Sequence, residues 1–488
     1  MAKIVFGEAM GEHQSLTDTF DMPSFMASKP SRQSVTFTDA DGDRLVVSGA
    51  ALELSGGRLV GGTVRKLEFL DDDGGQLATI TRFSISAGKL QQAFQYGLWA
   101  VMDLIGPKSN TFVGSAQGDD LIFGRNPGND RVRAGEGDDW VKASAGNNSY
   151  NGGSGWDNLW FTETYYLDSG RRGIRLDAEK GTVVNPWGGR DRIRNFEEYR
   201  GSKFDDRMLG SERDEIFHGM GGKDFINGRG GYDTLRYNTD AEFKGNRGIV
   251  ADFAAGTVKD GFGRLDRFAN IEEISGTARN DRFRGDDNDN AFNGLEGVDR
   301  YDGGGGIDVV KFHHWSKSQK GVEVDLSLAS GQIIDDGFGN RETVRNIEAI
   351  SGSAHRDRIT LGADDLAWVW GDGGNDVLTA GTGKRQWFGG GDGADRFVFL
   401  SAQHMHAGGD RHVIADFDVA EGDRIDLGGV ATFSFISDDD FGGKAGELRF
   451  RRDGGGIIVE GDIDGDGVAD IALELEGVTA LTQAALLL

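Results

Sequence analysis

The sequence has no cysteine among its 488 residues, which excludes disulfide bonds and thiolate metal ligands. It has only 5 prolines, and no stretch approaches the roughly 18 consecutive apolar residues that a membrane-spanning helix needs. The first residues, MAKIVFGEAMGEHQ, contain no apolar run of signal-peptide length. We therefore expect no integral membrane segment and no cleaved amino-terminal signal.

Basic residues are outnumbered by acidic ones, 53 to 80, and the formal net charge is −27. Such a surplus repels phosphate groups, which argues against nucleic acid and anionic membranes as partners. It suits a cation. A scattered surplus would indicate little more than solubility, but the acids in this chain recur at regular intervals.

Glycine is abundant instead, with 79 residues, or about one in six, against a usual share of about 7%. In the segment GGKDFINGRGGYDTLRY, residues 221–237, Asp224 and Asp233 stand nine residues apart. Each is followed two residues later by an apolar side chain. Glycine-rich sequence with regular apolar residues indicates many tight turns that join short buried strands.

The nine-residue unit can be written G-G-x-G-x-D-x-U-x, where U is apolar, and it recurs in four blocks. Its sixth positions are Asp120, Asp130, Asp139, Asn148 and Asp157 in the first block, Asp206, Glu215, Asp224 and Asp233 in the second, and Asp281, Asn290, Asp299 and Asp308 in the third. The fourth block keeps Asp357, Asp376 and Asp395, but we place Leu366 and Arg385 at its intervening sixth positions.

A longer repeat of about 75 residues is superimposed on the short one. Its markers are NFEEYRGS (195–202), NIEEISGT (270–277) and NIEAISGS (346–353). Each follows an alternating segment with central turn residues, which predicts a β-hairpin. Each hairpin should therefore begin a new block of nonapeptides.

A period of nine predicts a parallel β-roll. A short strand with U at its centre alternates with a turn, and two units make one coil, so equivalent residues stack 18 apart. Stacked carboxylates such as Asp206 and Asp224 repel each other. A hard divalent cation between layers removes the repulsion, and Ca²⁺, with its 6–8 oxygen ligands in loose geometry, suits the arrangement better than Mg²⁺.

These nonapeptides resemble those of the RTX (repeats-in-toxin) calcium-binding family over residues 111–400. The resemblance implies parallel β-rolls with several Ca²⁺ ions between turns. It also implies export by a type I secretion apparatus through an uncleaved carboxy-terminal signal. The chain would then cross the membrane unfolded, fold in extracellular calcium, and act as a secreted protein that can associate with the cell surface.

The carboxy-terminal residues are similar to the carboxy-terminal domain of serralysin-type metalloproteases, in the segments 412–430, 445–450 and 459–488. That resemblance implies a further calcium site at Asp462, Asp464, Asp466 and Asp470, in the pattern D-x-D-G-D-G-x-x-D. The chain departs from the family at its end, AALLL, where the family often has an aspartate followed by large apolar residues.

The catalytic motifs of such proteases are missing. None of the eight histidines begins an H-E-x-x-H zinc motif, and no G-x-S-x-G motif occurs. We therefore expect no enzyme. His404, His406 and His412 are close enough in sequence for a small metal cluster, but loop positions are the simpler interpretation. The alternative is an extracellular hydrolase or toxin with an unfamiliar active site in residues 1–110 or in the hairpins.

We predict an all-β fold in which parallel β-roll blocks carry inserted hairpins and a small amino-terminal domain of β-hairpins and one amphipathic helix caps the repeats. The predicted domains are 1–110 (cap), 111–161 (first roll), 162–237 and 238–312 (hairpin plus roll), 313–400 (hairpin plus degenerate roll) and 401–488 (secretion domain). The predicted role is structural, surface-associated or adhesive. The expected partner is an extracellular polymer or a surface.

Overall fold

The computed structural model describes residues 3–6, 26–28, 31–95, 101, 104–105, 109–122, 128–166, 170–312 and 320–488. Its contacts divide the chain into two compact units. Unit 1 comprises Met1–Arg236 and Arg264–Ile271, and unit 2 comprises Tyr237–Gly263 and Glu272–Leu488. The division into six domains that the repeats predict is finer than these two units and stays a prediction.

Unit 1 begins with an antiparallel sheet and one helix. The strands are β1 (Lys3–Phe6), β2 (Met26–Ser28), β3 (Ser34–Thr38), β4 (Arg44–Ser55), β5 (Arg58–Leu70), β6 (Gln76–Thr81) and β7 (Ile85–Ser86), followed by α1 (Ala87–Phe94). The rings of Phe37 and Phe94 pack edge to face at 5.4 Å and join the helix to the sheet. Residues 96–100 and 102–103 of the longer predicted helix lie outside the described residues.

The first strand of this sheet also meets the roll. β1 pairs in parallel with β8 (Thr111–Val113), so that Ile4 lies opposite Phe112. An exposed strand edge offers unpaired backbone groups to other chains, and β1 covers that edge of β8.

The roll of unit 1 has two faces. One face, here called the continuous sheet, consists in spatial order of β9 (Asp120–Ile122), β12 (Trp140–Lys142), β15 (Asn158–Trp160), β19 (Glu198–Arg200), β21 (Ile216–His218) and β23 (Thr234–Arg236), all parallel. A small pair, β11 (Gly135–Glu136) and β14 (Gly153–Ser154), lies at the turns, and a short helix, α2 (Glu163–Tyr166), follows β15.

The other face, here called the interrupted sheet, takes up the inserted hairpin. Its order is β8, β10 (Arg131–Arg133), β13 (Ser149–Asn151), β18 (Arg190–Arg194), β17 (Thr182–Val184), β16 (Arg175–Asp177), β20 (Arg207–Leu209), β22 (Phe225–Asn227) and β26 (Leu265–Ala269). β17 is antiparallel to both of its neighbours. The insert thus extends one face, while the continuous sheet passes directly from Leu159 to Tyr199.

Unit 2 repeats the design. Its continuous sheet is β27 (Glu273–Ser275), β29 (Ala291–Asn293), β31 (Val309–Lys311), β35 (Ala349–Ser351), β37 (Trp368–Trp370), β39 (Trp387–Gly389), β41 (His412–Ile414) and β46 (Ile471–Leu475). β46 continues antiparallel into β45 (Gly456–Asp462) and β44 (Glu447–Asp453), with β43 (Ser434–Phe435) beside β44.

The opposite face of unit 2 contains two runs of strands. The first is β25 (Thr257–Lys259), β24 (Val250–Asp252), β28 (Arg282–Arg284), β30 (Arg300–Asp302) and β34 (Thr343–Arg345). The second is β33 (Ile333–Asp335), β32 (Glu323–Asp325), β36 (Arg358–Thr360), β38 (Val377–Thr379), β40 (Arg396–Val398), β42 (Arg424–Asp426) and β47 (Leu486–Leu487). Short 3₁₀ turns occupy Asp240–Phe243, Ala402–His404, Gly408–Asp410 and Gln483–Ala485.

The core of each roll is a column of U residues. Each is at most 3% exposed: Val132, Val141, Tyr150, Leu159, Met208, Phe217, Ile226, Leu235, Phe283, Phe292, Tyr301, Val310, Ile359, Leu378 and Phe397. Burying one such aliphatic or aromatic side chain stabilises the fold by roughly 1.5–3 kcal/mol. The predicted all-β fold of parallel rolls with hairpin inserts is confirmed.

Two details of the predicted register are wrong. In the first block the sixth position is Asp119, not Asp120, because Leu121 is the buried U residue and pairs with Val141. The spacing from Asp119 to Asp130 is eleven residues rather than nine, and a strict period extended backward across that longer turn therefore misplaces the repeat.

The fourth block contains the second error. Its coils are 19 residues long, since the backbone N–H of Asp357 donates to Asp376 Oδ1. The extra residues are Leu366 and Arg385, which adopt positive φ angles of 62° and 52° in the turns. The intervening sixth positions are therefore Ala367 and Gln386, and not Leu366 and Arg385.

Candidate metal centre

The sixth positions form ladders of polar side chains along the two edges of each roll. In most steps a carboxylate oxygen accepts the backbone N–H of the sixth residue one coil earlier; the acceptor is an amide oxygen at Asn148 and a ring nitrogen at His412. The N–H of Asp139 donates to Asp157 Oδ1 at 2.9 Å, and that of Asn290 donates to Asp308 Oδ1 at 2.8 Å. The predicted stacking of Asp206 with Asp224 has the same form, at 2.7 Å. Sixth positions 18 residues apart are thus in direct contact, as the repeat predicts.

In one class of sixth position the second carboxylate oxygen is buried and has no hydrogen-bond partner among the residues that the structure describes. We call these the open carboxylates: Asp139, Asp157, Asp308, Asp376 and Asp395. A buried carboxylate oxygen without a donor is costly. Hard cations with oxygen ligands, above all Ca²⁺, supply what these atoms lack.

The glycine five residues before each of several open carboxylates makes room for the free oxygen. A Cβ at Gly152 would stand 2.3 Å from Asp157 Oδ2, and one at Gly303 would stand 2.4 Å from Asp308 Oδ2. Gly390 has the same relation to Asp395. No side chain fits there, so the first glycine of the repeat lets the carboxylate lie against the turn backbone. The buried oxygen that has no donor among the described residues fits a bound cation.

Burial makes the charged form of these groups unfavourable in the absence of a cation. Desolvation, followed by the repulsion of nearby carboxylates, raises the pKa of Asp139 to about 8 and that of Asp376 to about 8. Desolvation raises the pKa of Asp157 to about 7. A divalent cation favours the ionised form and opposes these shifts.

A second class of carboxylate has donors on both oxygens. We call these the closed carboxylates: Asp206, Glu215, Asp281 and Asp357. Each is bonded by the N–H and the hydroxyl of a Ser or Thr four residues earlier. Ser353, for example, donates its N–H to Asp357 Oδ2 at 2.6 Å and its hydroxyl to Oδ1 at 2.8 Å.

The closed carboxylates are also protonated more easily than usual, since burial raises the pKa of Asp206 and of Asp281 to about 7. The pKa values therefore do not separate the two classes; the hydrogen-bond partners do. A serine or threonine four residues before the acid was a visible sequence signal for the closed class, and counting sixth positions alone overlooked it.

The remaining predicted ligands also lie on the ladders. Asp224 Oδ1 and Asp233 Oδ1 accept N–H groups from Asp206 and Glu215, the predicted partners. Asp130 accepts the N–H of Asn110 and the hydroxyl of Ser144.

Asn290 and Asp299 complete the predicted set in the third block. Asn290 Oδ1 accepts the N–H of Asp286 at 2.8 Å. The N–H of Asp299 donates to Glu342 Oε1 at 2.9 Å. Burial raises the pKa of both acids; repulsion from Glu342 adds to the shift of Asp299, and repulsion from Asp336 adds to that of Glu342.

The ladders contain further acids that the nonapeptide pattern did not reveal. They are Asp119, Asp191, Glu197, Asp266, Glu342, Glu348 and Asp423. Each stands two residues before a buried apolar residue, as Glu197 stands before Tyr199. That two-residue offset was the available signal.

The continuous sheet of the fourth block replaces its acids by neutral groups. Gln386 donates its amide Nε2–H to the carbonyl oxygens of Gly362 and Asp364 at 3.1 and 3.3 Å. In the next coil His412 Nδ1 accepts the N–H of Gln386 at 3.0 Å. The Gln386 amide thus satisfies the turn carbonyls directly.

Two histidines near this edge, His404 and His412, bond through their rings to backbone carbonyls. His404 Nδ1 lies 2.8 Å from Ala380 O, and His412 Nε2 lies 2.6 Å from His404 O. Burial lowers the pKa of His412 to about 4, which keeps it a neutral acceptor. This geometry favours packing over a metal cluster.

The carboxy-terminal acids form a separate loop between β45 and β46. Single oxygens of Asp462, Asp464 and Asp470 lie within 4.8 Å of one another, whereas Asp466 is not part of that group. Asp466 Oδ1 instead accepts the N–H of Val468 at 2.8 Å. Asp462 is fully buried and accepts the N–H groups of Gly465 and Gly467. The structure brings three of the four predicted ligands together.

Comparison with known families identifies the RTX calcium-binding nonapeptide repeat in four copies, at residues 125–159, 200–235, 275–310 and 368–384. The chain therefore carries RTX repeats, and such repeats bind Ca²⁺ at multiple sites. Their presence supports a secreted calcium-binding protein. No curated protein matches the chain.

Among solved structures the chain is similar to the extracellular lipase LipA from Serratia marcescens, with 13% sequence identity and a TM-score of 0.16. The similarity covers 58% of this chain and 40% of the lipase, so this chain matches less than half of that protein's length. Within the described part of the chain, no helix has both the length and the apolar character needed to cross a membrane.

Proposed function

We propose that the chain is a secreted protein whose rolls fold when calcium binds the open carboxylates, and that it serves a structural, surface or adhesive role. The observation that supports this most directly is the buried, unpartnered oxygen of Asp139, Asp157, Asp308, Asp376 and Asp395 within RTX repeats. At a hundredfold excess over the dissociation constant, calcium would stabilise the fold by roughly 2.7 kcal/mol per site.

Circular dichroism tests the folding step. The β signal of the purified chain should rise with added calcium and fall again with a chelator. Magnesium at the same concentration is the control, and it should give a much weaker response because it demands a tighter octahedron. A chain with the same spectrum in EDTA would refute the proposal.

We further propose that residues 401–488 direct export through a type I secretion apparatus, with a calcium ion in the loop of Asp462, Asp464 and Asp470. The support is the sequence resemblance and the convergence of three carboxylates. Deletion of 401–488 should retain the protein inside cells that express the exporter. Fusion of 401–488 to a passenger protein should export the passenger; failure of that fusion would contradict the proposal.

The surface or adhesive role, without catalysis, is the remaining part of the proposal. Its support is the absence of recognisable nucleophile and zinc motifs from the sequence. The calcium-folded chain should bind an extracellular polymer or a surface and release no product from it. Turnover of an ester, peptide or glycan substrate would favour the hydrolase alternative instead.

A further inference from the structure

The outer face of the interrupted sheet in unit 1 carries a group of exposed arginines. We call this group the arginine face, and it comprises Arg131, Arg133, Arg175, Arg190, Arg192 and Arg194. Between them, the inward positions of the same strands are filled by the buried core residues Val132, Tyr150 and Ile193. Strand alternation therefore directs the guanidinium groups outward.

Strand register arranges these side chains in rows. Arg131 lies opposite Ser149, Ser149 opposite Arg192, and Arg192 opposite Thr182. A second row places Asn151 opposite Arg194. Adjacent strands are about 4.8 Å apart, so the two arginines that flank Ser149 are separated by roughly 10 Å. Each row thus alternates a guanidinium group with a small hydroxyl or amide side chain.

None of the six guanidinium groups forms an ion pair within the part of the chain that the structure describes. Other arginines of the same unit do: Arg229 contacts Asp177 at 3.0 Å, and Arg213 contacts Glu197 at 3.1 Å. In a chain with a net charge of −27, a group of six unpaired arginines is unexpected. Their charge acts locally because salt screens charges beyond about 8 Å.

Two grooves run along the rows. One, of about 690 Å³, includes Arg131, Ser149, Thr182 and Arg192 in its lining. The other, of about 520 Å³, includes Arg133, Asn151 and Arg194. The ladder beneath them alternates the amides Asn110 and Asn148 with the buried acids Asp130 and Asp191.

We propose that the arginine face binds a linear acidic polysaccharide whose sugars carry carboxylates. The proposal rests on the surface or adhesive role given above and names its partner. Guanidinium groups bind carboxylates through paired hydrogen bonds. The alternating hydroxyl and amide groups supply donors and acceptors for sugar hydroxyls. The rows repeat along the sheet, which suits an extended polymer better than a small ion.

Single-stranded nucleic acid is the other extended polyanion, and the grooves fit it poorly. Its binding sites combine positive charge with aromatic side chains on which bases stack. Among the described residues, Tyr150 is the one aromatic residue that lines either groove. It is 1% exposed, and its hydroxyl accepts the N–H of Ser144 inside the roll.

The test uses the full calcium-loaded chain and short hyaluronan oligosaccharides in a calorimeter, with dextran as the neutral polymer and oligo-dT as the nucleic acid. The variant R131Q/R192Q/R194Q should bind hyaluronan about tenfold or more weakly, since it loses charged hydrogen bonds. The control R32Q/R58Q/R65Q removes three exposed arginines from the amino-terminal sheet and should bind as the unmodified chain does. Added salt should weaken binding.

Absence of hyaluronan binding, equal loss in the two variants, equal binding of dextran, or tighter binding of oligo-dT would each overturn the proposal. Circular dichroism of the same samples keeps this result distinct from the folding proposal. A chain that folds with calcium and ignores the oligosaccharide contradicts only the polysaccharide site. A chain that does not respond to calcium contradicts the proposed function itself.

Discussion

At the scale of single residues, the free oxygen of a sixth-position carboxylate determines whether that coil needs a cation. Asp376 Oδ2 is buried without a donor, whereas both oxygens of Asp281 are bonded by Thr277. The two residues occupy the same place in the repeat and differ in the residue four positions earlier. They form a natural pair for substitution.

Asp376→Asn should remove one bound calcium and stabilise the calcium-free fold, because the amide carries no buried charge. Asp281→Asn should leave the number of bound calcium ions unchanged. It should lower the free energy of unfolding by about 1–3 kcal/mol, because its NH₂ group would face the N–H of Thr277.

Calorimetric titration and denaturant unfolding measure the two effects. If Asp281→Asn lost a calcium ion while Asp376→Asn kept its own, the assignment of open and closed carboxylates would be reversed.

Most ligand positions could be predicted from the sequence, because the sixth position is tied to the buried residue two places later. The nine-residue register cannot be extended across turns of unusual length, and counting in nines therefore does not identify Asp119 and Gln386 as sixth positions. The closed class also required knowledge of which donors the turn brings to the acid. The spacing of the sixth positions predicts which side chains stack in a ladder. The hydrogen bonds around each acid determine whether it has a free oxygen for a cation.

At the scale of elements, the edge that contains β37, β39 and β41 is held by neutral groups. Gln386 occupies the sixth position there, and its amide donates to the carbonyls of Gly362 and Asp364. This edge should therefore be stable without a cation, unlike the opposite edge with the open carboxylates Asp376 and Asp395.

Gln386→Ala should lower the free energy of unfolding by about 1–3 kcal/mol, because the two turn carbonyls lose their buried donor. The number of bound calcium ions should not change. Denaturant unfolding in saturating calcium, with calcium counting by calorimetry, measures both quantities. Loss of a calcium ion would show that Gln386 helps to hold one.

The hairpins illustrate what an alternating pattern can and cannot predict. Alternation in GIRLDAEKGTVV predicts the pair β16 and β17, and the structure confirms their antiparallel pairing. It does not indicate that a third strand, β18, returns to pair with β13. That arrangement follows from the need to restore parallel pairing on one face while the other continues from β15 to β19.

At the scale of the whole molecule, the buried acids link the stability of the calcium-free fold to pH. The pKa values of Asp139 and Asp376, at about 8, and of Asp308, at about 7, lie above the roughly 3.9 of an unfolded chain. Between about pH 4 and pH 8 the calcium-free fold holds more protons than the unfolded chain, so its stability falls as pH rises. Below that window both states are protonated.

Above about pH 5 the unfolded chain and the calcium-bound fold both hold these carboxylates ionised, so the calcium-free fold is the state whose stability depends on pH. The calcium concentration at the folding midpoint should therefore stay nearly constant from about pH 6 to about pH 8, while the residual β signal in chelator should fall. Circular dichroism at three pH values measures both quantities. In the double variant D139N/D376N the calcium-free signal should depend less on pH. A calcium-free signal that rises with pH in the unmodified chain would contradict the raised pKa values.

If calcium orders the rolls, hydrogen–deuterium exchange with peptide-level mass spectrometry should show it segment by segment. In calcium, amides of the segments 128–166 and 349–400 should exchange slowly, and chelation should raise their exchange strongly. The antiparallel sheet of residues 31–95 carries none of the open carboxylates and should change much less. Equal protection of the roll segments with calcium and with chelator would contradict the account.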